Sequence, residues 1–345
     1  MSSADAKLED AKLLSASEAE RAKAEIAEGA EDEFEDAVES DQSSGFEVTA
    51  EEMSIIRAEL ACEFPDDYKY LSDAYIRSVA SKPYSKDPSI RRPLEYTMEK
   101  LSHVMEWREQ AGAPEMEDLV KLGNGPENAP EAVESPEKLA KAKALVASLN
   151  TGSLYWHGLT KDGRPVLWVR TNRKPWYPDV EADINALIVL ADAGIRAMPA
   201  NVTDFVCVSD SASPPPPNPS FMIGMLKALV KGYPDRLNLL VSAPVSSIIQ
   251  FVMKLLLPLM PGRLASKVIL LDVPEANKKL EDLLLNGKDD IPTFFDGPSD
   301  HDKFYPEESR CPNRGKGTLK FDYFGMMERL EDTVKEFNAM STNGS

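Results

Sequence analysis

The sequence predicts an α/β fold: a helical N-terminal lobe followed by an α/β lobe with a largely parallel sheet. Three observations carry that expectation. Apolar residues recur at helical spacing between Thr49 and Leu149, strand-like and helix-like segments alternate from Gly152 onward, and an apolar run, SIIQFVMKLLLPLM from Ser247 to Met260, sits between two of the strands. With 345 residues and 42% hydrophobic content, the chain can bury one large core or two smaller ones.

Residues 1–48 are rich in Ala, Glu, Asp and Ser, with a dense acidic block from Glu31 to Asp41. Local helix is allowed over Ala4 to Ala24, but few large apolar residues exist to dock it, so a mobile, disordered acidic tail is expected. Order is expected to begin at Thr49-Ala-Glu-Glu52, which has the form of a capping box and leads into Met53, Ile56 and Leu60. Further helices are expected at Asp66 to Ala80, Ile90 to Gln110 and Pro136 to Leu149. In the second, Leu94, Met98, Leu101 and Met105 share a face and Gly112 stands just past the end; in the third, Ser135 is the cap and Pro136 the first residue. Residues 49–150 are therefore assigned to the helical lobe.

Strands are expected at Ser153 to His157 and Val166 to Arg170, joined by Lys161-Asp-Gly-Arg164, where Asp-Gly supplies the turn. A helix over Ile184 to Met198, a strand at Phe205 to Val208, a helix at Phe221 to Gly232, a strand at Leu237 to Val241, the apolar run as a helix and a strand at Val268 to Leu271 follow. Such alternation implies right-handed crossovers and parallel pairing. Residues 151–300 make this lobe, and residues 301–345 a C-terminal extension with a helix. Ser213-Pro-Pro-Pro-Pro-Asn-Pro219 interrupts one crossover; it lacks the basic flanks of a proline-rich ligand and reads as a rigid loop.

The chain has 39 basic and 58 acidic residues, a net charge of −19, which argues against broad nucleic-acid binding. The charge is uneven: residues 1–52 hold 17 acidic and 4 basic side chains, a net of −13. Cys62, Cys207 and Cys311 are odd in number and widely spaced, neither a disulfide framework nor a metal pattern. The N-terminal residues have no apolar stretch for secretion and no Arg-rich transit composition, and Ser2 stands where myristoylation needs glycine; a cytoplasmic protein is expected.

Catalytic motifs fail on inspection. Gly158-Leu-Thr-Lys-Asp-Gly163-Arg164 imitates a P-loop, but has Arg for Lys and runs into Pro165 and a strand where a helix N-terminus is required. Ser209-Asp-Ser-Ala-Ser213 is no nucleophile elbow, and His103, His157 and His301 are scattered. No enzyme, metal or cofactor is expected. The run Ser247 to Met260 is too short to span a bilayer, which takes about 20 residues, so it is either a buried core helix or a helix covering an apolar ligand cavity or touching a membrane surface.

In its order of lobes and motifs, the chain resembles the CRAL-TRIO family of lipid-binding and lipid-transfer proteins. Lys161-Asp-Gly-Arg-Pro-Val166 is similar to the turn into that family's sheet, and Tyr233-Pro-Asp-Arg236 with Leu239 to Pro244 resembles its Tyr-Pro-Glu-Arg helix end and following strand. Lys254 to Pro258 with Ser266-Lys267-Val268 resembles its gate helix and the segment behind it, Ile291-Pro-Thr-Phe-Phe-Asp-Gly297 its closing Leu-Pro-x-x-Phe-Gly-Gly, and Glu99 to Arg108 the end of its helical lobe. Upstream, the family's basic segment is replaced by Tyr75-Ile-Arg77 and, further on, Arg91-Arg92.

The resemblance implies a gated cavity for one phospholipid or similar apolar ligand, with phosphatidylinositol favoured. It assigns Asp235 and Lys267 to the inositol phosphate headgroup and makes Phe251 and Leu255 gate residues. Leu264 stands where the family has a hydroxyl that helps hold phosphate. Phe205 and Cys207 stand where phosphatidylcholine-binding members have Ser and Thr, so phosphatidylcholine is not an expected ligand. The implied partners are a bound lipid and, transiently, a membrane surface, giving a cytoplasmic and peripherally membrane-associated protein. The acidic tail would limit docking on anionic membranes or shield Arg91, Arg92 and Lys267. The competing expectation is a scaffold that transfers nothing and binds a GTPase or trafficking partner through the tail or polyproline loop.

Overall fold

A computed structural model describes residues 16–27, 46–84, 87–125, 135–175, 178–305 and 322–343. It has a mixed α/β architecture with a helical N-terminal region, as the sequence implies.

The helical region is built from α2 (Ala50–Glu63), α3 (Asp73–Ala80), α4 (Leu94–Ala111), α5 (Met116–Asn124) and α6 (Pro136–Leu149). Thr49 and Glu52 close the capping box at the start of α2, and Met53, Ile56 and Leu60 are buried against Leu71, Tyr75, Ile76 and Val79 and against Leu101, Val104 and Met105 of α4. Two expected helices are shorter than the sequence suggests. Asp66 to Ala80 divides into a 3₁₀ turn at Tyr68–Tyr70 and α3, because Ser72 accepts a hydrogen bond from the Tyr75 amide and starts a new helix. The expected start of α4 at Ile90 belongs to a hairpin, β1 (Pro83–Tyr84) against β2 (Asp87–Arg91), and Pro93 caps the helix that follows.

The α/β lobe holds a five-stranded sheet in the order β3 (Leu154–Leu159), β4 (Pro165–Arg170), β5 (Phe205–Asp210), β6 (Leu237–Ala243) and β7 (Val268–Leu270). β3 runs antiparallel to β4 across the Asp162-Gly163 turn, and the other three pairs are parallel. The crossovers are α7 (Val180–Ala197), then α8 (Pro219–Lys227) with a π-helical turn through Gly232, then α9 (Ser247–Leu256) with the short α10 (Gly262–Ala265). Each crossover steps one strand in the same direction. Right-handedness therefore puts all three on one face of the sheet.

That face is fixed by Trp156, whose indole donates to the Leu190 carbonyl of α7 at 2.7 Å and meets Phe205 edge-on. The opposite face packs on α11 (Val273–Leu283) through Ala276 and Leu280, and on residues 291–305, where Phe294 and His301 close on Trp168. The C-terminal helix α12 (Tyr323–Asn343) buries Tyr323, Met326, Leu330 and Val334 in the same main core. It is part of this lobe's packing.

The N-terminal region holds a surprise. Within the expected tail, Ala16–Ala27 forms α1, and its Ile26 is fully buried against Leu226, Val230 and Leu259. One large apolar residue is enough to dock it.

The approach of α7 to the sheet depends on Gly194, where an added Cβ would lie 2.2 Å from the Trp156 ring. Gly194→Ala is expected to lower stability by about 1–3 kcal/mol through overpacking, with cooperativity retained, as measured by urea denaturation.

Candidate ligand-binding site

Registered strands place Trp156, Leu167, Cys207, Leu240 and Val268 in one row across the crossover face. Burial falls along that row. Trp156 is 1% exposed, Leu167 3% and Cys207 8%, whereas Leu240 and Val268 are only half-buried, as is Leu270 in the next row. The sheet is sealed at β3 and open towards β7.

The helix α9 belongs to the crossover between β6 and β7. Ser246 caps it by accepting from the Ile249 amide, and Pro258 ends it in a 3₁₀ turn, Leu257–Leu259. Ile248, Ile249, Met253 and Leu256 are buried; Phe251, Val252 and Leu255 are half-buried; Gln250, Lys254 and Leu257 are exposed. None of the four buried residues belongs to the main core that joins the sheet to its other helices. Ser247, Gln250 and Lys254 share its exposed polar face, and the remaining faces are apolar and buried or half-buried outside that core.

Of the expected headgroup residues, Asp235, Lys267 and Leu264 come together around a small cavity of about 30 Å³, room for one water, lined also by Tyr233, Pro234, Leu237, Pro261 and Arg263. Asp235 precedes β6 at a positive φ of 59°, and Lys267 precedes β7, so parallel pairing brings both to one end of the sheet. The acid is already engaged: it pairs with Lys82 of the helical lobe and lies 3.6 Å from Arg263. Burial alone would raise the Asp235 carboxyl, but Lys82, Arg263 and Lys267 overcome it and hold the group well below the usual carboxylate range. Lys267 Nζ donates to the Leu237 carbonyl at 2.6 Å.

Phe205 and Cys207 lie on the crossover face but are buried, and burial pushes the Cys207 thiol up to about 12. Phe251 and Leu255 stand apart from both sets, on α9. Lys82 and Arg263 are the residues that sequence reasoning missed; Arg263 precedes Leu264 in the segment already singled out, while nothing in the spacing of Lys82 links it to Asp235. Arg91 and Arg92, which the acidic tail was expected to shield, are engaged within the helical lobe itself. Arg91 pairs with Glu52, and Arg92 is 2% exposed with its guanidinium 3.4 Å from the Val79 carbonyl.

The histidines do not form a site on this face. His157 and His301 meet at 4.2 Å between tilted rings on the opposite one, and desolvation lowers both, His157 to about 4. Cys311 lies outside the described residues.

The rest of the Tyr233-Pro-Asp-Arg236 motif ties the lobes together. The Tyr233 hydroxyl donates to Asp192 at 2.8 Å, the Pro234 carbonyl accepts from Tyr75 at 2.9 Å, and Arg236 stacks on the Tyr75 ring at 3.5 Å. Behind them, Trp107 meets Tyr233 edge-on.

Among the described residues, no helix is long and apolar enough to cross a membrane. Residues 149–297 match the sequence profile of the CRAL/TRIO domain. No curated protein matches the chain.

Asp235→Asn removes the carboxylate that Lys82 and Arg263 both reach, and because both cations are part-exposed and can be rehydrated it is expected to cost about 1–2 kcal/mol at pH 7. A depressed folded-state pKa contributes stability that is full above the unfolded carboxylate value and is lost as pH falls through the folded one, so the gap between wild type and variant should narrow below about pH 4. Urea denaturation from pH 7 to pH 3 checks both; a gap that stays constant counts against the pairing.

Proposed function

From the premise that this chain carries a CRAL/TRIO domain, a domain that binds lipophilic ligands, we propose that it is a non-enzymatic lipid-transfer protein. It holds one phospholipid between the open end of the sheet and α9, and exchanges it at membranes. The observation that carries this reading is the gradient of burial across the crossover face, from a sealed Trp156 to half-buried Leu240, Val268 and Leu270. Acyl chains laid there would complete a core that the polypeptide leaves unfinished, at about 0.8 kcal/mol for each methylene withdrawn from water.

For such a ligand to enter or leave, α9 has to move aside as a gate, and its half-buried and exposed apolar residues give it a surface that a bilayer can receive while it is displaced. Phosphatidylinositol is the favoured ligand. Lys267 supplies a phosphate donor and Asp235 an acceptor for ring hydroxyls, and both stand at the mouth beside α10. A headgroup would have to take over Asp235 from Lys82 and Arg263, and Leu264 offers it no hydroxyl. Phosphatidylcholine is disfavoured, because buried Phe205 and Cys207 present no hydroxyl to a choline phosphate.

Phe251→Glu and Leu255→Glu should each lower transfer between labelled vesicles about tenfold while costing less than about 1 kcal/mol in urea denaturation, as both side chains are only half-buried. Equal losses in the two assays would return α9 to ordinary core. Native lipid extraction with mass spectrometry is expected to give phosphatidylinositol with little phosphatidylcholine; abundant phosphatidylcholine would sink the ligand assignment. A protein that transfers nothing between vesicles would instead be a scaffold.

A further inference from the structure

The helix α1 bridges one element that stays and one that moves. Ile26 is fully buried among Leu226 of α8, Val230 of the π-helical turn and Leu259 of the 3₁₀ turn that ends α9, with Ile223, Met260 and Leu264 packed around them. Glu25 pairs with Lys227 of α8 and with Arg21 of its own helix. The first two contacts anchor α1 to a crossover in the body of the lobe. Leu259 and Met260 tie it to the end of the gate.

The surface beneath α1 has a composition that suits a different partner. It is an apolar patch edged by Lys227, with Arg263 close behind on α10 and the exposed Leu257 on the adjoining turn. A basic edge around exposed and part-exposed apolar side chains is the chemistry of an anionic bilayer contact, in which aliphatic residues enter the acyl boundary and lysines meet the headgroups. The helix that covers it offers the same two things in miniature: one aliphatic side chain and a carboxylate. It also belongs to the segment, residues 1–52, whose net charge is −13, and charge of that sign is repelled by an anionic surface.

We propose that α1 is a latch that occupies, in the same chain, the surface by which the gate end meets an anionic membrane, so that bilayer and helix compete for Lys227 and for the Leu226–Val230–Leu259 patch. The latch keeps α9 shut in solution and releases it at a membrane of the right charge. This rests on the gate reading above. It adds where the membrane binds and what holds that surface closed until then.

The test uses the full-length chain as wild type, Ile26→Asp and Ile26→Leu. Co-sedimentation is measured with vesicles of phosphatidylcholine containing phosphatidylserine and with vesicles of phosphatidylcholine alone. Losing the buried Ile26 contact should raise binding of Ile26→Asp to phosphatidylserine vesicles about tenfold over wild type, whereas Ile26→Leu keeps the contact and stays near wild type. Equal binding by wild type and Ile26→Asp overturns the proposal, and so does an equal gain on phosphatidylcholine alone, which would remove the competition of charges. A second measurement needs no variant. Amide hydrogen exchange in residues 16–27 of the wild type should speed up when phosphatidylserine vesicles are added, and unchanged protection on vesicle-bound protein refutes a displaced latch. If wild type transfers no lipid while Ile26→Asp still gains vesicle binding, the transfer reading fails and the latch stands.

Discussion

The relation of the two lobes rests on one buried ion pair. Arg108, 2% exposed at the end of α4, reaches across to Asp192 of α7 at 2.8 Å and to Asp67 at 2.7 Å, with the Tyr70 ring 3.2 Å beneath its guanidinium. Two carboxylates and an aromatic face meet the desolvated charge, and the Tyr233 hydroxyl takes one of the remaining positions on Asp192. Such a pair adds little to net stability against an apolar substitute, yet breaking one side leaves a charge stranded. Its role is registration. It fixes where Tyr233 sits, and through Pro234 it fixes Asp235 at one end of the sheet.

The same reasoning explains why Asp235 is not a free headgroup ligand. Its neighbours in the motif all bind the helical lobe, and the carboxylate follows them by pairing with Lys82. The motif therefore serves two ends at once: Tyr233, Pro234 and Arg236 hold the lobes, and Asp235 keeps a displaceable counter-ion beside Lys267. Displaceable is meant physically, since the side chain of Lys82 keeps 22% of its surface in solvent and can return to water at low cost.

Much of the fold was legible because its signals are local. The capping box at Thr49, the Asp162-Gly163 turn and the apolar run at Ser247 each act within a few residues, and each forms the element expected of it. What escaped was decided by distant contacts. Ile90 matched the helical period of Leu94 and Leu101, but pairing with Pro83–Tyr84 claimed its segment for a hairpin. α5 went unread because Gly112 closed the preceding helix, and Met116, Leu119 and Val120 are buried only once α6 and the main core fold against them. Ile26 could not be distinguished from any aliphatic residue in a charged tail. The site shows the same division: Asp235, Lys267 and Leu264 were marked by motif, whereas Lys82 comes from a segment that no motif connects to them.

On the proposed function, the falling burial across the sheet would make the cargo part of the architecture. A molecule that fills the open end binds the folded chain and has nothing to hold in the unfolded one, so its supply enters the folding equilibrium by mass action. An empty chain would then be the less durable of the two, and turnover would favour the loaded form. The abundance of the protein would follow the lipid it carries, without any separate sensor.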